Sequence, residues 1–270
     1  LKVSRYNIGW GCGNLAGFFG YSLLADYPPT LGFTVSLVLF LFVAASLVRW
    51  VRVPPRPPMA EGDRAPHPAL SRLTLMGRLA MMVACMVTMS QISLLHRALG
   101  DQGLVVEQAQ RWAGFTLGSY ATCYVAMFFL LGLWSGWVLK PWRLWWMQVT
   151  FVLGAGGFIA LGLGGGLQAW SLMLSGACLG LAFGPCYTAS IYYSMRLPDG
   201  AGRAVALHET ALGVGNTAGP LLCGFFLDRW EAAHWGSNLT GLGVFLSIGV
   251  LVVLGLQAAM IPAATRLGAR

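Results

Sequence analysis

Charge is what this sequence has least of. Charged residues make up 10% of its 270 positions and hydrophobic ones 57%. A soluble globular domain carries about a quarter charged residues, so that class is excluded. Acids are scarcest, nine against 17 lysines and arginines, and only Glu209 sits well inside an apolar segment. The six cysteines (Cys12, Cys85, Cys123, Cys178, Cys186 and Cys223) contain no C-x-x-C pair and all fall in apolar segments. Small apolar packing residues is the reading that comes ahead of metal or disulfide roles. Catalytic signatures are missing too. No H-x-x-x-H or H-E-x-x-H occurs, and Ser135 in Leu133-Trp-Ser-Gly-Trp137 has no G-x-S-G context. Neither an enzyme nor a resident metal or cofactor is expected.

What is present is long uncharged runs, among them Trp112 to Leu139, Ala169 to Met195 and Leu239 to Ala264. Roughly 20 apolar residues cross a bilayer, and a mean hydropathy of +0.67 agrees with a chain built of such segments. The pattern predicts an all-α polytopic membrane protein of eight transmembrane helices, at about 5–25, 31–49, 73–96, 112–138, 144–164, 168–195, 203–227 and 238–262. Short connections such as Asp26-Tyr-Pro-Pro-Thr30 predict that consecutive helices are antiparallel neighbours. The stretch from Arg49 to Arg72 differs, with six of the 13 prolines and five arginines, and reads as a solvated linker. The organisation expected is residues 1–48 as the last two helices of one half, 49–72 as the linker, and 73–270 as a six-helix half.

Alternate connections hold 14 of the 17 lysines and arginines. By the positive-inside rule both termini of this chain and the 49–72 linker are expected on the cytoplasmic side. The net charge of +8 is thus a topology signal, and no nucleic acid is expected as a partner.

The helices differ in polarity. The second, fifth and eighth are almost wholly apolar and are expected at the periphery, around a polar interior made by the other five. Gln91, Tyr120, Tyr124 and Tyr187 are candidates to line that interior. A repeat adds two more: Gly11-Cys-Gly-Asn-Leu-Ala-Gly17 matches Gly213-Val-Gly-Asn-Thr-Ala-Gly219 at five of seven positions, and the same offset of 202 residues aligns Asp26 with Asp228. Asn14 and Asn216 hold equivalent places in it, either lining a cavity or bonding across helices. Gly13, Gly17, Gly215 and Gly219, with Pro220, read as small residues that let helices approach, a hinge being the other reading. Counting from Arg203 at about 1.5 Å per residue, Glu209 lies roughly 9 Å inside the cytoplasmic edge. An ionised carboxylate there needs a cation or water, or it takes up a proton. His208 and Glu209 are therefore proton-coupling candidates, a structural ion pair being the alternative. Trp142, Trp145 and Trp146 beside Lys140 and Arg143 read as an interfacial anchor.

Two halves, a long cytoplasmic linker and a repeat about an axis along the membrane normal resemble the major facilitator superfamily. In that resemblance the eight helices match the family's fifth to twelfth, the C-terminal two thirds of its twelve-helix fold. Gly215-Asn-Thr-Ala-Gly219-Pro220-Leu-Leu-Cys223-Gly224 is similar to the tail of the family's G-x-x-x-G-P-x-x-G-G pattern, with Cys223 in place of a glycine. The first-helix copy has Phe18 in place of the proline. The turn from Gly132 to Arg143 sits where the family carries G-x-x-x-D-R-x-G-R-R, with Gly136 in the acid's position. The resemblance implies a secondary active transporter of the plasma (inner) membrane. It would move a small solute by alternating access, with protons as a coupling ion and efflux as one direction. The alternative is a transporter-derived receptor or scaffold without transport.

The repeat also predicts a partner, four further helices of the same protein. The third to sixth helices span about residues 73 to 195, and subtracting the offset puts their counterparts at −129 to −7. About 130 residues are expected to precede Leu1, and the 270-residue chain alone to transport nothing. Reading the coding frame upstream tests this; a stop codon directly before Leu1 with a start close by refutes it.

Overall fold

Inside a bilayer every backbone N–H and C=O must find its partner within the protein, so apolar runs of this length fold as helices. The structure, a computed structural model, describes residues 2–23, 27, 30, 31, 34, 35, 37–39, 41, 42, 45, 69–164, 166–197 and 201–268. Among the described residues there is no strand. The helices are α1 (Lys2–Leu23), α2 (Leu70–Gly100), α3 (Val106–Leu133), α4 (Pro141–Gly164), α5 (Ala169–Met195), α6 (Ala201–Ala232) and α7 (Asn238–Gly268).

The six helices from α2 to α7 are long and apolar enough to cross a membrane. Of the eight spans expected, these are the ones the described residues support. Lys2, Arg5, Asn7 and Asn14 are spread along α1 so that it has no uninterrupted apolar stretch long enough, and it is not among the six. Of the expected second span, residues 31, 34, 35, 37–39, 41, 42 and 45 are described, all helical and exposed. The rest of it and most of the 49–72 linker lie outside the described residues.

Helix ends run past the apolar periodicity. Leu70 opens α2 inside the expected linker, because Ala69, Leu70 and Leu73 are buried with Trp137, Leu144 and Tyr193. Pro141 opens α4, where its missing N–H costs nothing and its fixed φ suits the first turn. At 31 residues and about 1.5 Å each, α2 and α7 reach across the hydrocarbon core and into both interfaces.

Short turns predict the packing partners only in part. Helices α4 and α5, joined by a short connection, pack closely. The other large interfaces join helices that are not neighbours in sequence, α3 to α5, α2 to α6 and α4 to α7. Helices α3 and α4, linked by the short turn 134–140, share little contact. The reason is where the glycines point. Lipid tails are as apolar as leucine, so helices associate in a membrane where small residues let backbones meet. Gly176, Gly180 and Gly184 form such a stripe on α5 and face α3. A Cβ at Gly180 would fall onto the Tyr120 carbonyl, and one at Gly176 onto that of Thr116. On α6, Gly219 sits where a Cβ would lie 2.6 Å from the Met86 carbonyl oxygen of α2. Gly215 lies in the same way over Met82, whereas Gly13 and Gly17 of α1 have open space beside them.

Burial follows the same plan. Helices α5 and α2 are the most buried, and the apolar α4 and α7 lie outside them. Helix α6, one of the five expected around the interior, is the least buried of the six. Its glycine face is covered by α2, while Leu207, Val214, Leu221 and Phe225 are exposed. At one end of the bundle Arg97 of α2 bonds Asp228 at 3.0 Å and Glu231 at 3.1 Å, both on α6. Asn238, the first residue of α7, donates to Asp101 there. At the other end Arg143 donates to the Gly136 carbonyl at 2.5 Å and lies over the rings of Trp134 and Trp142. A backbone carbonyl thus holds the arginine in the turn that lacks the acid.

Substituting Gly180→Val should force α5 off α3 and destabilise the protein by about 1–3 kcal/mol, the usual cost of overpacking. Gly156→Ala, at a helix position with nothing beside it, should be neutral or stabilising by up to about 1 kcal/mol. Thermal unfolding of both variants in detergent checks the contrast, and equal melting temperatures overturn it.

Candidate functional site

The glycine stripe brings the aromatic side of α3 against α5. Tyr120, Tyr124 and Phe128 repeat every fourth residue on one face of α3, and Phe183 and Tyr187 do so on α5. Their ring centroids lie 5.1 Å apart for Tyr120 and Tyr124, and 5.6 and 5.3 Å from each of these to Phe183. All five rings are buried.

Beside this cluster a cavity of about 140 Å³ opens between α1, α2, α3, α5 and α6. Every helix but one gives it residues one turn apart. They are Asn14 and Phe18 from α1, Tyr120 and Tyr124 from α3, and Leu212 and Asn216 from α6. Helix α2 adds the stripe Met81, Cys85, Thr88 and Ile92 with Met89, and α5 adds Phe183. The two asparagines of the repeat, on α1 and α6, therefore face one common space.

The polar groups in its wall can be assigned donors. Thr88 donates its single hydroxyl hydrogen to the Ala84 carbonyl at 2.7 Å, which can only accept. The 2.6 Å contact between the Thr88 and Tyr120 oxygens must then have Tyr120 as its donor. Tyr124 faces the Gly11 carbonyl at 3.5 Å and the Asn14 side chain, tying α3 to α1. The amide of Asn216 has no hydrogen-bond partner among the described residues.

The other sequence candidates lie elsewhere. Gln91 is fully buried on α2, its amide nitrogen 3.4 Å from the Val87 carbonyl and its oxygen unpartnered among the described residues. Tyr187 lies deeper along α5, its ring edge-on to His208 at 5.4 Å. His208 is buried, and its Nδ1 lies 2.8 Å from the Ser190 hydroxyl of α5. If Ser190 donates, the imidazole proton sits on Nε2; if Ser190 accepts, Nε2 is a bare lone pair. Either way Nε2 has no partner among the described residues. Arg78 of α2 approaches from the neighbouring turn, donating to the Ala204 carbonyl at 3.1 Å. Glu209 is one residue on, about 100° further round the helix, and is exposed. Neither ion pair of the described residues involves it. Gly215 and Gly219 lie on the α6 face toward α2, and Pro220 follows one residue on, inside the helix. Pro220 has no N–H, so the Asn216 carbonyl four residues earlier lacks its helical donor.

Residue-type reasoning passed over Met81, Met89, Ile92, Phe183 and Leu212, and read Cys85 as a packing residue. Thr88 was legible as a polar group that has to face a partner or the interior. The spacing of 81, 85, 88 and 92 on one helical face is the signal that could have found the α2 stripe. Among the described residues no three His, Cys, Asp or Glu side chains are grouped to hold a metal.

A family model described as Major Facilitator Superfamily matches residues 1–220. No curated protein and no solved structure matches the chain.

The Thr88–Tyr120 pair should respond asymmetrically to truncation. Thr88→Val strands a buried phenol hydroxyl, which costs about 1–3 kcal/mol. Tyr120→Phe leaves Thr88 still bonded to Ala84 and should cost less than about 1 kcal/mol, in line with interhelical bonds in membranes. Unfolding of the two variants in micelles decides; equal costs or the reverse order refute the donor assignment.

Proposed function

The chain belongs to the major facilitator superfamily, whose members are transporters, and on that premise we propose that it moves a small solute across the membrane by alternating access. The observation that carries this reading is the cavity itself. It lies where α1 of the first half meets four helices of the second, with one repeat asparagine on each side. Alternating access needs a binding space at such an interface, so that rocking one half against the other exposes it to each side in turn.

The apolar helices and the family make the chain an integral membrane protein. The proposal adds the finer placement. Helix α1 and the segment at 31–49 complete eight spans, the membrane is the plasma (inner) one, and both termini and the linker face the cytoplasm, as the basic residues favour.

For coupling, the proposal is proton-driven efflux through His208. A titrating group must be shielded enough to feel a neighbouring rearrangement and must have a site open to load. His208 is fully buried, bridges α6 to α5 through Ser190, and keeps Nε2 uncommitted. Glu209, exposed on the far side of the helix, lacks the shielding.

In the full-length protein His208→Gln should abolish proton-driven accumulation while solute exchange stays within about threefold of the unaltered protein. Exchange needs only the conformational cycle, whereas accumulation needs a proton to load and leave. Glu209→Gln should leave both intact. Vesicle assays of both modes, with folded yield as the control, separate the cases. Accumulation lost in Glu209→Gln alone moves the role to that residue. Unchanged accumulation in His208→Gln removes proton coupling from this site, and no flux of any tested solute favours a scaffold or receptor.

A further inference from the structure

The cavity's wall also says what it can hold, an inference that rests on the transporter reading. Its volume of about 140 Å³ is close to that of an apolar cavity known to enclose one benzene molecule. No charged side chain is among the described residues that line it. An ion brought into such a wall would lose its hydration and meet no counter-charge, a heavily penalised transfer. Aromatic walls can hold a cation when ring faces are left open toward it. Here Tyr120 meets Tyr124 and Phe183 edge to face at interplanar angles of 70° and 65°, so the rings pack on one another rather than stand as an open box of parallel faces.

Hydrogen bonding narrows the choice further. The Tyr120 hydrogen is committed to Thr88, and Tyr124 and Asn14 engage each other. Among the described residues the amide in the wall that makes no hydrogen bond at all is that of Asn216, two donors and an acceptor on one planar group, while Asn14 has one bond made to Tyr124. An amide of that kind pairs best with another group that both donates and accepts.

We infer that the site takes an uncharged solute bearing a six-membered ring, whose carboxamide or hydroxyl substituent pairs with Asn216 while the ring fills the space beside Tyr120 and Phe183. Anionic and cationic analogues of the same size are poor ligands.

Equilibrium dialysis of the full-length protein in detergent with three labelled probes of matched size tests this: benzamide, benzoate and benzamidinium. Benzamide should bind saturably and at least tenfold more tightly than either ion, and Asn216→Leu should weaken it about tenfold with little change for the ions. If that variant does not fold, Asn216→Ser removes the amide with a smaller change of shape and should show the same loss. Equal or tighter binding of either ion, no saturable benzamide binding, or unaltered binding in the folded variant overturns the inference. Counterflow of the same probes in proteoliposomes separates it from the transporter reading. Selective benzamide binding without flux sinks transport and upholds the cavity chemistry. Flux of an ion with none of benzamide does the opposite.

Discussion

Backbone laid on backbone is the contact on which this structure depends. A membrane removes the hydrophobic drive that would press helices together in water, so the helices associate where nothing projects between them. The α5 stripe at Gly176, Gly180 and Gly184 lies directly over the carbonyls of Thr116, Tyr120 and Tyr124 and the side chain of Met127. That approach carries Phe183 and Tyr187 into the α3 aromatic face. Gly215 and Gly219 do the same for α6 over α2, which turns Leu212 and Asn216 toward the cavity. The space at the centre is what remains after both glycine seams have closed on either side of it.

Much of this was legible in the residues. Run length and the absence of charge dictate helices, and polarity sorts α4 and α7 to the outside. The repeat picks out Asn14 and Asn216, which the fold brings to one cavity with Tyr120 and Tyr124. What could not be read is rotational phase. His208 and Glu209 are adjacent, and composition treats them as a pair. A turn of about 100° buries one and exposes the other, and only the packing of α6 on α2 and α5 sets which. The same holds for the copied glycines: Gly13 and Gly215 are equivalent in sequence, yet only the second meets a carbonyl. Turn length held for α4 and α5 and misled for α3 and α4, since a short loop fixes where a helix starts and not which face it turns to its neighbour. The α5 stripe was in plain view but hidden among small residues, because Gly is frequent throughout this chain.

The polar interior is matched unevenly. Around the cavity the hydroxyls are committed to carbonyls and to each other. Nearer the other end, Arg78 Nε, Ser194 Oγ, His208 Nε2 and Gln257 Oε1 are buried without a partner among the described residues. Polar groups left so in hydrocarbon recruit water or a proton, which makes this region chemically responsive in a way the sealed α3–α5 seam is not. The turn at 134–140 shows the opposite tendency. Where the family pattern has an acid, Arg143 is satisfied by the Gly136 carbonyl and two indole faces.

The two ends of the bundle are fastened by different physics. Arg97, Asp228 and Glu231 are exposed and joined by ionic contacts, which dissolved salt screens over a Debye length of about 8 Å at physiological strength. The seam of α6 on α2 at Gly215 and Gly219 is steric and holds no charge to screen. Ionic strength therefore reaches one face of the molecule and passes the seam by. A change of salt on the side that bathes Arg97 loosens that clasp alone, so the compartment on that side can set how readily the bundle parts there without altering how its middle is held.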